Sequence, residues 1–137
     1  MEVKGFENLE VWQIGRDLVL KVYALTASLP QSEAFGLTAQ IKRAALSVPA
    51  NIAEGFGRYH YMDKARFYLN ARGSLYELRS HLLIARDLGY VEQSPAISKG
   101  LQVSPAVSDV LTLVDTLSVK LNNLIAATRK LKNNESL

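Results

Sequence analysis

At 137 residues, 48% hydrophobic and 21% charged, the chain is sized for one domain around one core, and its composition fits neither a disordered tail nor a membrane-embedded protein. It contains no cysteine, which excludes disulfides, thiolate catalysis and Cys-based zinc sites and suits a reducing compartment. The formal charge of +3 is concentrated centrally: residues 1–35 carry three Lys/Arg against five Asp/Glu, residues 36–90 eight against four, and residues 91–137 five against four.

The opening residues include Glu2, Lys4, Glu7 and Glu10, the wrong start for a secretory signal. Uncharged stretches fall short of the ~18 apolar residues that a membrane span requires, so a cytoplasmic location is expected. Helix one is predicted over residues 8–29, where Val11, Leu18, Val22, Leu25 and Leu29 recur at helical spacing, with Asn8 placed as its N-cap and Pro30 as its stop. Only residues 31–33 form the link, so the next helix folds back antiparallel.

Helix two is predicted over residues 35–54, with Leu37, Ile41, Ala45, Val48 and Ile52 as its core stripe. A second stripe of Ala39, Leu46, Ala50 and Ala53 lies roughly 160° away on the helical wheel. Between the stripes fall Gln40, Arg43, Ser47, Asn51 and Glu54. A helix that is apolar on two sides is buried on two sides, and another subunit is one candidate for the second. Pro49 removes a backbone hydrogen bond, which leaves either a kinked continuous helix or two pieces; apolar spacing stays in phase across it, favouring the former.

Gly55, Phe56 and Gly57 stop helix two. Helix three is predicted over residues 62–88, with Phe67, Ala71, Leu75, Leu78, Leu82 and Ala85 facing the core and Gly89 as its C-terminal cap. Ser94-Pro95 and Ser104-Pro105 both look like helix starts. The second is favoured for helix four, over residues 105–131, with a short turn or helix from Pro95 before Gly100; a long kinked helix from Pro95 is the alternative. Val107, Val110, Val114, Leu117, Leu121, Leu124, Thr128 and Leu131 form its nearly heptad stripe. Residues after Lys132 are expected to fray. The expected fold is all-α, an antiparallel up-and-down four-helix bundle that makes residues 1–137 a single domain.

Groups suited to catalysis are scarce. His60 and His81 are the only histidines, neither follows an arginine at the spacing of helical-bundle ribonucleases, and Glu77 and His81 stand four apart without a second copy, unlike the Glu-x-x-His pairs of di-metal bundles. Gly55-Phe56-Gly57 lacks the further glycines and the lysine of a phosphate loop. No catalytic residue, metal site or cofactor is assigned, and the chain is expected to be non-enzymatic. Arg72, Arg79 and Arg86 recur every seven residues, about 10 Å apart along helix three. Lys42, Arg43, Arg58, Lys64 and Arg66 extend this charge, interleaved with Tyr59, Tyr61, Tyr68 and Tyr76. Guanidinium groups beside aromatic faces hold phosphates and stack on unpaired bases. The competing account is that these arginines pair with Glu77, Asp87 and acids of adjacent helices.

Residues 37–55, LTAQIKRAALSVPANIAEG, resemble the most recognisable motif of the four-helix-bundle proteins encoded by intervening sequences in bacterial 23S rRNA genes. The likeness continues through Arg58 and Phe67 into ARGSLYEL at 71–78 and LGY at 88–90, and Val11-Trp12 is similar to the family's first helix. It covers roughly residues 6–90, with helix four agreeing in pattern only. The resemblance implies a ring-like homopentamer with no established enzymatic activity, and related pentameric proteins of diversity-generating retroelements bind a reverse transcriptase and nucleic acid through basic surfaces. The expected partners are therefore further copies of the chain and RNA or DNA, without strong sequence specificity; the alternative is a scaffold for a protein such as a polymerase. Ala39, Gln40, Arg43, Leu46, Ser47, Ala50, Asn51 and Glu54 are the expected subunit contact.

Overall fold

The computed structural model describes residues 5–91, 96–98, 102–104 and 106–135. Four helices make the body: α1 (Glu10–Thr26), α2 (Leu37–Phe56), α3 (Tyr61–Asp87) and α4 (Val107–Glu135). Each packs on its neighbours in the cycle α1–α2–α3–α4–α1, and short links reverse the direction from α1 to α2 and from α2 to α3. The expected all-α bundle is present.

Local chemistry explains where the helices stop. Leu9, not Asn8, precedes α1, because residues 6–8 form a separate 3-10 turn that takes Asn8 out of the capping position. Pro30 follows α1 by a few residues and opens the 3-10 turn Gln31–Glu33. Helix α3 ends in a Schellman motif: the Tyr90 N–H donates to the Ala85 carbonyl and the Gly89 N–H to the Arg86 carbonyl, both at 2.9 Å. Gly89 has φ 78°, the left-handed conformation this closure needs and glycine adopts without a Cβ penalty.

Between α3 and α4 the chain does not form the expected turn or helix from Pro95 to Gly100. Instead β1 (Ala96–Ser98) and β2 (Gln102–Ser104) pair antiparallel, with β-branched Ile97 opposite Val103, a residue type that favours pleated backbone. Pro95, Gly100 and Pro105 lie outside the described residues. Helix α4 starts at Val107, beyond Ser104-Pro105, and continues past Lys132 to Glu135 rather than ending at 131.

The core is built from the predicted stripes with two changes. Tyr68 is buried at 3% exposure, whereas Phe67 is only half-buried and faces outward. On α4, Ile125 rather than Leu124 follows Leu121 in the buried row, which continues to Thr128, as a 3.6-residue period drifts from a strict heptad. Leu131 is exposed. By length and composition residues Val107–Leu131 would suffice to cross a membrane, but Val107, Val110, Val114, Leu117 and Leu121 of this helix are buried in the bundle.

Helix α2 is continuous through Pro49, whose ring lies where α1 presents Gly15; a Cβ on Gly15 would stand 3.4 Å from the proline Cβ. On the opposite flank, a Cβ on Gly55 would come 2.8 Å from Tyr68 Cε1 and 3.0 Å from Phe67 Cβ, so this end of α2 approaches α3 more closely than alanine allows. Gly73, on the exposed side of α3, faces open space. Opposite effects follow for one substitution: Gly55→Ala should cost about 1–3 kcal/mol through overpacking, and Gly73→Ala should stabilise by about 0.5–1 kcal/mol through lower backbone entropy. Urea unfolding of both variants checks the pair.

Candidate nucleic-acid interface

The polar side of α2 lies along its seam with α3. Arg43 Nε donates to Gln40 Oε1 at 3.1 Å, and its guanidinium pairs with Glu77, whose Oε1 is also 3.4 Å from His81 Nε2. One turn on, the Ser47 and Ser74 hydroxyls are 2.9 Å apart, and Asn51 Nδ2 donates to the Ser47 carbonyl at 2.8 Å. Glu54 pairs with Arg58 at 2.7 Å. The polar groups expected at a subunit contact thus have partners in their own chain. Of the small-residue stripe, Leu46 is 48% exposed, Ala50 is exposed and Ala39 is half-buried, so this face of α2 points away from the bundle.

The three heptad arginines run along α3, and two of them reach across to α4. Arg72 Nη1 donates to Asn122 Oδ1 at 2.9 Å, Arg79 pairs with Asp115 at 2.7 Å, and Arg86 turns to its neighbour Asp87 at 3.1 Å. The heptad places them on the flank of α3 toward α4, where these partners stand. Lys42 is separate from them, on the α1 side of α2, with its Nζ 4.8 Å from the Tyr23 ring centroid.

A tighter cluster forms at the turn between α2 and α3. Arg58 and Arg66 each place a guanidinium carbon 4.6 Å from the Phe67 ring centroid. Lys64 Nζ donates to the Phe56 carbonyl at 2.6 Å and sits 5.5 Å from the Phe56 ring. Partial burial holds the Lys64 ammonium below its usual pKa. Phe67 is half-buried and carries both guanidiniums near its ring, while Tyr68, one position along, takes the space opposite Gly55. Beside them Tyr59 is 85% exposed and meets the His60 ring edge-on, centroids 5.0 Å apart. Glu54 and Asp63 are the acids within reach, on Arg58 and Arg66.

The structure therefore divides the predicted basic set into four places: Arg58, Lys64 and Arg66 together at the turn, Arg72, Arg79 and Arg86 in a row along α3, Lys42 on the α1 flank of α2, and Arg43 on its α3 flank. Arg129 is an addition to that set. It is brought beside Arg66 by the packing of α4 on α3, and both line one cavity. Nothing in the spacing along α4 signals that neighbour.

Residues 7–102 match the family described as 23S rRNA-intervening sequence protein. The chain belongs to that family. The match spans α1, α2, α3 and β1, ends at the first residue of β2, and includes the α2–α3 turn, whereas α4, with Arg129, lies beyond it. A comparison with curated proteins found no match.

The pairing of the heptad arginines has a measurable size. Both members of the Arg79–Asp115 pair are more than a third exposed, so the double-mutant cycle through Arg79→Ala and Asp115→Ala should give a coupling of about 0.2–1 kcal/mol that shrinks as salt is raised.

Proposed function

We propose that the protein is a non-enzymatic, cytoplasmic, oligomeric helical bundle that binds RNA or DNA through its basic surface, by phosphate neutralisation with little sequence readout. The observation that carries this reading is the α2–α3 turn, where Arg58, Lys64 and Arg66 gather around Phe56 and Phe67 beside the exposed ring of Tyr59. Cations held against aromatic faces keep the geometry that phosphate and base contacts use. The row of Arg72, Arg79 and Arg86 flanks this cluster along α3, and its ion pairs are exposed and weak enough for a phosphate to compete with Asp115 or Asp87. Membership of a family named for an rRNA-borne sequence is consistent with an RNA connection.

Assembly into a ring of identical subunits belongs to the same proposal. Its support is the outward apolar face of α1 and α2, where Leu20 is 63%, Tyr23 40% and Leu46 48% exposed, with Ala50 beside them. The in-chain partners of Arg43 and Arg79 favour a second reading, in which these arginines are structural and the ring is a scaffold for a polymerase-like protein with no direct nucleic-acid contact.

Fluorescence anisotropy with labelled single-stranded and duplex RNA and DNA over about 50–200 mM salt separates the two readings. The nucleic-acid reading expects affinity that falls with salt, and in the variant carrying Arg58→Glu, Lys64→Glu and Arg66→Glu a log–log salt slope shallower by about three units. Absence of binding at the lowest salt would leave the scaffold. For assembly, Leu46→Glu should keep its helical circular dichroism and lose the wild-type oligomer in light scattering; an unchanged oligomer would remove this face from the interface.

A further inference from the structure

A cavity of about 320 Å³ opens between the first half of α3 and the last turns of α4. That volume is in the range of small-ligand sites, about 300–1,000 Å³. Its lining is chemically two-sided. Met62, Ala65 and Leu69 supply apolar surface, whereas Arg66 and Arg129 bring guanidinium groups from two different helices. Tyr61 adds an aromatic ring and Asn70 a carboxamide with both donors and an acceptor.

An inorganic anion would use the arginines and leave the apolar lining uncovered; a hydrocarbon would cover that lining and waste both charges and the amide. The combination suits a flat heteroaromatic group with a polar edge and an attached anion. Arg66 also stacks on Phe67, so this one residue belongs both to the cavity lining and to the cation cluster at the α2–α3 turn.

We propose that this cavity receives one unstacked nucleobase of a single-stranded nucleic acid, with Arg66 and Arg129 holding the adjoining phosphate and Asn70 meeting the base edge. The inference rests on the nucleic-acid reading above and narrows it. A base inside a duplex must leave its stack and its partner before it reaches a pocket, which costs a few kcal/mol, so the cavity favours single strands. Duplex contacts remain with the exposed cations alone.

The test compares a short labelled single-stranded RNA with the same sequence as a duplex. Ala65→Leu fills the floor and Asn70→Leu removes the amide at an exposed position; neither alters charge, and circular dichroism confirms the helical fold. Each should weaken single-strand binding about tenfold, within the range of losing one stacked base, and leave duplex binding within about twofold. Unchanged single-strand affinity in both variants would overturn the base pocket while the nucleic-acid reading stands. If the wild-type protein binds neither form at low salt, the nucleic-acid reading fails and the pocket proposal fails with it.

Discussion

The close approach of α2 and α3 is the constraint on which the other features depend. Ala44 and Ala71 are fully buried, Ser47 and Ser74 share a hydrogen bond, and Gly55 leaves no room for a Cβ beneath Tyr68. Small side chains along a seam let two helix backbones come together, and the dispersion attraction between them is forfeited if a larger residue holds them apart. Pro49 fits the same logic from the other side, since its ring occupies the space that Gly15 leaves open on α1.

That approach also decides what the α2–α3 turn can present. With Tyr68 drawn inward over Gly55, the adjacent Phe67 is turned to the surface, because successive helical residues differ by about 100°. Its half-buried phenyl ring then becomes a platform for the Arg58 and Arg66 guanidiniums, one from the turn and one from α3. The cation cluster follows from core packing as much as from local charge.

The arginines along α3 obey a different balance. An exposed ion pair gains little net free energy, since water solvates each partner nearly as well as its counter-ion does. The contact of Arg79 with Asp115 therefore adds little to the docking of α4 on α3 and leaves the guanidinium available, and Arg72 hydrogen-bonds only the neutral amide of Asn122. Structural pairing and the proposed phosphate contact are compatible for the same groups.

The sequence by itself determined the four helices and most of the faces they bury. Val11, Leu18, Val22, Ile41, Val48, Leu75, Leu82 and Leu117 recur at helical spacing, and each is buried because periodicity reports which side of a helix is apolar. Gly89 was legible for a similar reason: a left-handed residue at a helix end is a local backbone requirement. The choice between Phe67 and Tyr68, or Leu124 and Ile125, was left to tertiary structure: Leu and Ile are comparably apolar, apolarity alone would have buried Phe67 before the hydroxyl-bearing Tyr68, and only the opposing surface discriminates. The same holds for the partition of the basic residues and for the cavity that joins Arg66 to Arg129. Spacing along one helix carries no information about what the next helix sets against it, and the ion pairs, the stacked cations and the cavity are all properties of two helices together.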